Sequence, residues 1–504
     1  MGDTRVIAKN TFLLTVGLMV GRILALFIIK KMTPILGPGG MGIWAWATEV
    51  TSIVLVVANF GLGVLITREV ARLRGMTWTI LWAAFRIRWI MAAACYLLLV
   101  AYVYLTGKGA LARTAMLVTA VAVFVESTAM ACDSVLQAHQ KVQYQTVSQL
   151  VSAVVYFGLA YWFLDAGMGL MGVVWANLAS RVARLAVIVP LMFLKTGPWQ
   201  WKAPESEQQA TLIWMLRIGL PLFLSTTFGI IYFKIDVAML TEMTGEAATG
   251  IYFLGHRPLD YMLILPSLFS MAFFPSMVRY GSAASADVVR LGERALRYLL
   301  YGMLPLTLLL IFVAAPIIHW FEGRSGADTE FADSIRVLRI VMLGVPFQAA
   351  NYVFNRLLIT AGREKDFITI AMVPMVTNVV LNLILIPRYS YFGAAAASVV
   401  SLVLNAAMHW YFIRRTTLRI PLRRATLGNV VSLSLGWLSA SALAQTVVPQ
   451  WGTSWTSLPL AAGWGPFLAV TLLTGVMYAS ASFALRVLSI DDMRLLLQLG
   501  RRSE

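Results

Sequence analysis

The sequence predicts an all-α polytopic membrane protein of about fourteen transmembrane helices. Three observations carry that prediction. Of 504 residues, 59% are hydrophobic and only 12% charged, with a mean hydropathy of +0.77, a balance foreign to water-soluble globules. Apolar runs of about 20 residues, the length that crosses a hydrocarbon core of about 30 Å, recur along the chain. Lys and Arg gather in alternate loops, as they do when cytoplasmic loops retain positive charge during insertion.

The spans fall near 11–34, 43–66, 79–105, 114–136, 146–164 and 170–194. After a polar break at 195–209 they continue near 213–240, 249–275, 298–320, 335–358, 367–387 and 392–413, and end with 427–448 and 464–487. Arg5 and Lys9 precede the first span and no small-residue cleavage site follows it, so it reads as a retained helix rather than a signal peptide. One set of loops carries Arg68, Arg72 and Arg74, Lys141, Lys195 and Lys202, Arg279 to Arg297, Arg363 and Lys365, and Arg414 to Arg424. The opposite set holds little beyond Lys30, Lys31, Lys108, Arg113 and Arg324. Both termini therefore belong in the cytoplasm. The net charge of +17 is mostly this topology signal, scattered over short loops, and no nucleic-acid partner is expected. Cys95 and Cys132 lie inside apolar runs and suggest neither a disulfide nor a metal site. The C-terminal SIDDMRLLLQLGRR, 489–502, reads as an amphipathic helix on the inner membrane surface, with Ser489 and Asp492 able to cap it.

A weak internal repeat organises the chain. SVLQAHQKVQY (134–144) and RLLITAGREKDF (356–367) each close a span and enter a basic loop, while LMGVVWAN (170–177) and YFGAAAAS (391–398) each open one. The offset of about 222 residues spans an even number of crossings, so the two halves share orientation, as in transporters with parallel repeats. The expected partition is an N-lobe of six spans at 1–197, a C-lobe of six at 198–415, and two added spans with the amphipathic tail at 416–504.

Ionisable groups well inside spans are the candidate functional residues. They are Arg22, Arg181, Arg184, Arg217, Lys234, Arg257, Arg339 and Arg356 against Glu49, Glu126, Asp133, Asp236 and Asp260. A charge in the bilayer centre costs about 2.5–3.5 kcal/mol on insertion scales, so each must face a wet cavity or a partner. Cations outnumber anions, and guanidinium matches phosphate bidentately while staying charged at any depth. Asn177, Arg181 and Arg184 share one helical face. Plainer roles stand beside the functional ones. Arg22 can pair with Glu49 or Glu126, Arg257 can snorkel, Arg339 and Arg356 suit interfacial anchoring, and Glu126 with Asp133 suits counter-ions. His256 beside Arg257 is a candidate proton relay or a satisfied polar residue. Asp236 with Asn378 and Asn382, four apart on one face, forms a hard-oxygen set suited to a small cation. Interhelical hydrogen bonding by the two asparagines is the alternative.

Several stretches resemble the polysaccharide and lipid-linked oligosaccharide flippases of the multidrug/oligosaccharidyl-lipid/polysaccharide exporter superfamily, which also holds the lipid II flippases. They are the opening Asn10, Gly17, Arg22 pattern, LGPGGMGIW (36–44), FGLGVLITREVAR (60–72), LPLFLSTTFGIIYFKIDVAML (220–240) with ATGIY (248–252), LPSLFSMAFFPSMVRY (265–280) and IPRYSYFGAAAAS (386–398). The resemblance implies two six-helix lobes plus two helices, alternating access, an undecaprenyl-diphosphate-linked glycan as cargo, and no enzymatic activity. It implies residence in the bacterial cytoplasmic membrane, with membrane lipids and other polysaccharide-assembly proteins as partners. Lipid II flippases carry cavity arginines in the first and eighth helices, where Arg22 and Arg257 stand; Arg181 and Arg184, with Glu49 and Glu126, join the candidate substrate set from their places inside spans alone and not from the resemblance. They also hold sodium across the seventh, eleventh and twelfth helices. The similar positions here are Asp236, Asn378 and Asn382, although Asn382 replaces an expected second carboxylate. No cofactor is implied; Na+, H+ or membrane potential would drive the cycle. A lipid II flippase and a cation-coupled multidrug exporter are alternatives on the same fold. A membrane glycan polymerase or ligase is less suited, because the outer segments 321–334 and 449–463 hold no acid/base pair, nucleophile or metal cluster.

The charge pattern makes a topology prediction. A reporter fused after Arg424 should read cytoplasmic and one inserted within 449–463 external; the opposite readings would invert the orientation.

Overall fold

The computed structural model describes residues 2–73, 76–196, 205–279, 286–323, 329–418, 426, 428–432, 434, 478 and 480. Among the described residues every regular element is helical. A bilayer core offers no water to backbone amides, so the spanning segments must satisfy their hydrogen bonds internally, which a helix does. The order is α1 (Gly2–Asn59), α2 (Leu62–Arg72), α3 (Thr77–Leu105), α4 (Ala110–Ala138), α5 (Val142–Asp165), α6 (Gly169–Thr196) and α7 (Glu205–Thr244). There follow α8 (Glu246–Met262), α9 (Ile264–Arg279), α10 (Ala286–Phe312), α11 (Ala314–Glu322), α12 (Ala332–Met342), α13 (Val345–Thr360) and α14 (Phe367–Arg414). The expected spans from 11–34 to 392–413 all lie on these helices. The spans at 427–448 and 464–487 fall almost wholly outside the described residues, and the tail helix at 489–502 falls entirely outside them.

Eight helical stretches are long and apolar enough to cross a membrane among the described residues. Two of them, Met19–Arg72 and Glu364–Arg414, run to 54 and 51 residues, far beyond one crossing of about 20 residues. Each is interrupted by a kink. In α1 the break is at Gly37, with φ 60° and ψ −176° between Pro34 and Pro38. That conformation is nearly closed to side-chain-bearing residues, and the flanking prolines remove two amide donors. In α14 it is at Ser390, φ 50° and ψ −131°, three residues after Pro387. Single-residue interruptions divide α8 from α9 and α10 from α11, and the pair Leu343 and Gly344 divides α12 from α13, so three expected spans are broken helices.

The chain forms two compact units. One contains Met1–Leu254, His319–Ser334 and Ala371–Ala397. Its core joins Leu62, Leu65, Ile66 and Val70 of α2 to Ile80, Leu81 and Ile87 of α3, Cys132, Val135 and Leu136 of α4, and Ile188 and Met192 of α6. Close helix approach depends on small residues. A Cβ at Gly17 would strike Thr146 of α5, one at Gly42 the Glu246 carbonyl of α8, and one at Gly250 the Pro38 carbonyl of α1. The outward faces stay apolar, as with Leu97, Leu98 and Trp162. The other unit contains Gly255–Ile318, Ile335–Ile370 and Ser398–Glu504. Within it Ser270 donates to the Tyr352 carbonyl (3.2 Å), and Tyr478 donates to the Tyr301 carbonyl (3.0 Å) while the two rings stack.

The two bends behave oppositely on substitution. Gly37→Ala should cost about 1–3 kcal/mol, whereas Ser390→Gly should relieve strain and gain about 0.5–1 kcal/mol. Thermal midpoints of the purified variants in one detergent would check this, and equal midpoints would refute it.

Candidate functional site

Buried charge in the first unit concentrates between α3, α4 and α6. Arg184 is 6% exposed and bridges two carboxylates, one Nη on Glu126 Oε1 and the other on Asp133 Oδ2. Glu126 and Asp133 are seven residues apart, two helical turns, so they present carboxylates to the same side of α4. Arg181, one turn before Arg184, places Nη1 2.9 Å from the second Glu126 oxygen, Oε2. Beneath this pair lies Arg88 of α3, 1% exposed, donating to the Ser127 carbonyl at 2.9 Å and within electrostatic reach of Asp133. Ser127 in turn donates to Asn59 Oδ1 (3.1 Å). Three guanidinium groups thus share two carboxylates. Among the buried polar atoms of the cluster, Arg88 Nε, Arg184 Nε and Asp133 Oδ1 lack hydrogen-bond partners.

A second group lies along α7. Lys234 Nζ meets Glu49 Oε2 of α1 at 2.7 Å, with the carboxylate buried. Two residues on, Asp236 accepts from Asn382 Nδ2 at Oδ1 (2.6 Å) and from the Tyr252 hydroxyl at Oδ2 (2.9 Å). Asn382 Nδ2 also donates to Asn378 Oδ1 (3.0 Å), and both asparagines are 0% exposed. The sequence spacing that places Asn378 and Asn382 on one face therefore links the two amides to each other, and Asn382 carries the link on to the Asp236 carboxylate. One carboxylate and two amides are chemically suited to sodium. In this arrangement, however, Asp236 Oδ1 and Asn378 Oδ1 both point at an amide donor, while Asn382 Oδ1 is buried without a hydrogen-bond partner. The set fits a cation only with the Asn382 amide turned over, which would bring the orphaned oxygen to the centre. Among the described residues no cluster of three or more His, Cys, Asp or Glu is placed to hold a metal.

The remaining sequence candidates are placed separately. Arg22 is exposed on α1, in the first unit. Arg257 belongs to the second unit, on α8, and its Nη1 meets Asp260 Oδ2 at 2.9 Å, with His256 Nδ1 3.9 Å from the other Asp260 oxygen. Arg356 donates from Nε to Ser270 (3.1 Å) and stacks over Phe274, and Arg339 donates to the Ile311 carbonyl (3.3 Å). Sequence reading missed Arg88, whose position in AFRIRW looks like the edge of a basic loop, and Tyr252, whose hydroxyl has no spacing signal. The burial of the face that holds Ala84, Ile87 and Arg88 would have been the clue to the former.

Known proteins can now be set beside this geometry. Residues 7–281 match the family described as Polysaccharide biosynthesis protein, more than half of the chain. The chain belongs to that family. Residues 221–384 also match the MatE family. Among the chain's curated relatives is the probable low-salt glycan biosynthesis flippase Agl15 of Haloferax volcanii, 20% identical over 296 residues, 58% of this chain and 60% of that one. Another is the capsular polysaccharide biosynthesis protein CapF of Staphylococcus aureus, 20% identical over 203 residues, 39% of this chain and 49% of that one. The chain thus spans about half to three-fifths of the length of these relatives. The solved lipid II flippase MurJ, in an inward closed conformation, superposes with a TM-score of 0.74 at 15% identity, covering 94% of this chain and 98% of that one. An inward-facing multidrug resistance MATE transporter superposes at 0.65 and 15% identity, covering 81% and 97%. These likenesses give the fold, that of the exporter superfamily anticipated from sequence, in a multi-pass membrane protein.

The cluster makes a stability prediction. Arg184→Met leaves two buried carboxylates without their bridge and should cost about 3–5 kcal/mol. Adding Glu126→Gln and Asp133→Asn to Arg184→Met should recover most of the lost thermal midpoint. A triple variant no more stable than Arg184→Met would show that the bridge is not what the cluster needs.

Proposed function

We propose that this chain is a flippase that carries a lipid-diphosphate-linked oligosaccharide, a cell-envelope polysaccharide repeat unit on undecaprenyl diphosphate, from the inner to the outer leaflet of the cytoplasmic membrane by alternating access. The observation that carries the reading is the chemistry of the intramembrane charge within this family. Cations outnumber carboxylates, and most are guanidinium groups, which grip phosphate with two parallel hydrogen bonds and cannot be neutralised by burial. In this reading Arg22 and Arg257 hold the diphosphate while the isoprenoid stays in lipid. The lobes at 1–197 and 198–415 rock around it. No covalent chemistry is required. Agl15 and CapF, which are named for glycan work, support this cargo over peptidoglycan precursor alone. The cycle is driven by membrane potential or by Na+ or H+, with Asp236, Asn378 and Asn382 as the candidate ion site. Other polysaccharide-assembly proteins would hand over the substrate and take the product.

A multidrug exporter on this fold would take cationic cargo, for which a cation-rich interior is the wrong electrostatic environment. Flipping of a fluorescent lipid-diphosphate oligosaccharide in proteoliposomes tests the choice. With protein levels matched, Arg22→Ala and Arg257→Ala should each slow flipping by about tenfold or more, the value of one charge-assisted phosphate contact, and Arg22→Lys should restore part of it. Wild-type rates in both alanine variants would remove these arginines from the substrate path. Absence of flipping by the wild type, with transport of organic cations instead, would overturn the function.

A further inference from the structure

Arg181 and Arg184 look equivalent in the sequence, one helical turn apart on α6, yet the structure gives them different environments. The Arg184 side chain is 7% exposed and held by two carboxylates, whereas the Arg181 side chain is 35% exposed and, among the described residues, forms an ion pair with Glu126 alone. The pairing is asymmetric in a further way. Glu126 has two arginine partners, one on each oxygen. If Arg181 swings away, Glu126 keeps Arg184 and no buried charge is orphaned. If Arg184 swings away, Asp133 loses its ion-pair partner. Arg181 is therefore the cation that can exchange ligands at low cost. Its tie to Glu126 runs through Nη1, and Nη2 and Nε are not engaged by it. The surplus is also directional. With Arg88 fixed to the Ser127 carbonyl and Arg184 shared between two carboxylates, the cluster's surplus positive charge lies toward the half-buried Arg181 guanidinium.

We propose that Arg181 is an anion-binding residue for the diphosphate head group of an isoprenoid lipid, with Arg184 as its positioning residue and Glu126 as a built-in competitor that takes Arg181 back when the lipid leaves. This rests on the flippase reading and deepens it. A transporter must release what it binds, and an internal carboxylate that re-forms the original pair lowers the cost of release. Asn177, one turn before Arg181 on α6, stands where its amide can add a neutral donor.

The competitor role makes a prediction of sign that a structural role does not. The full-length protein in nanodiscs would be titrated with farnesyl diphosphate as a sugar-free probe, followed by tryptophan fluorescence. Parallel arms would use inorganic pyrophosphate and raised phosphatidylglycerol, and thermal midpoints would be measured for every variant. Arg181→Ala should weaken farnesyl diphosphate binding about tenfold with no fall in midpoint, because Glu126 retains Arg184. Arg181→Lys should fall between the two, since charge remains but the fork is lost. Glu126→Gln should bind the probe several-fold more tightly than wild type. Wild-type binding that is unchanged in Arg181→Ala would overturn this assignment and leave the flippase reading standing, as would weaker binding by Glu126→Gln. Competition by phosphatidylglycerol as strong as by farnesyl diphosphate would reassign Arg181 to bulk lipid phosphate and also overturn it. A wild type that binds no diphosphate probe would sink the flippase reading itself.

Discussion

A bilayer core supplies no water to stabilise an isolated charge, and most of the polar architecture of this protein answers that constraint. Every ionisable group deep in a span must find a partner or water, or stay at a cost of about 2.5–3.5 kcal/mol. Arg184 does so by bridging Glu126 and Asp133, Lys234 by meeting Glu49, and Arg88 by taking a backbone carbonyl. These pairs connect helices far apart in sequence and fix which faces must meet. The apolar surface between them then packs by shape, with glycines where backbones come closest.

Buried ion pairs are expensive to form and add little to stability compared with well-packed apolar residues of the same size. The α4–α6 cluster goes further than pairing requires, because three cations on two anions is an imbalance that structural glue would avoid. The Asp236 network is the complementary case. There a buried carboxylate accepts hydrogen bonds from neutral donors on α8 and α14.

The sequence made the spans legible because hydrophobic length is a one-dimensional signal, and it made faces legible because helical periodicity is fixed. Arg181 with Arg184, and Asn378 with Asn382, could be grouped for that reason. Which helix stands opposite a face is a three-dimensional fact. Arg88 and the Ser127 carbonyl are 39 residues apart, and Asn382 and Asp236 are 146 apart, with nothing in local spacing to link them. The bends were legible in part. Pro34, Gly37 and Pro38 announce one, whereas Ser390 adopts a conformation that its side chain disfavours and no propensity would have chosen.

The buried Arg88 also bears on how the chain is made. Helix α3 emerges from the ribosome before α4, and alone it must offer the lipid a guanidinium near the sequence Arg86, Ile87, Arg88, a burden of about 2.5–3.5 kcal/mol for a central arginine. The carbonyl that relieves it belongs to Ser127 in the next helix. Delaying lateral release of α3 until α4 has arrived removes that exposure, so the two helices are best delivered to the membrane as a hairpin. The short connection between Leu105 and Ala110 keeps them together for that purpose. A hydrogen bond within the finished protein thus sets a constraint on the order of its biogenesis.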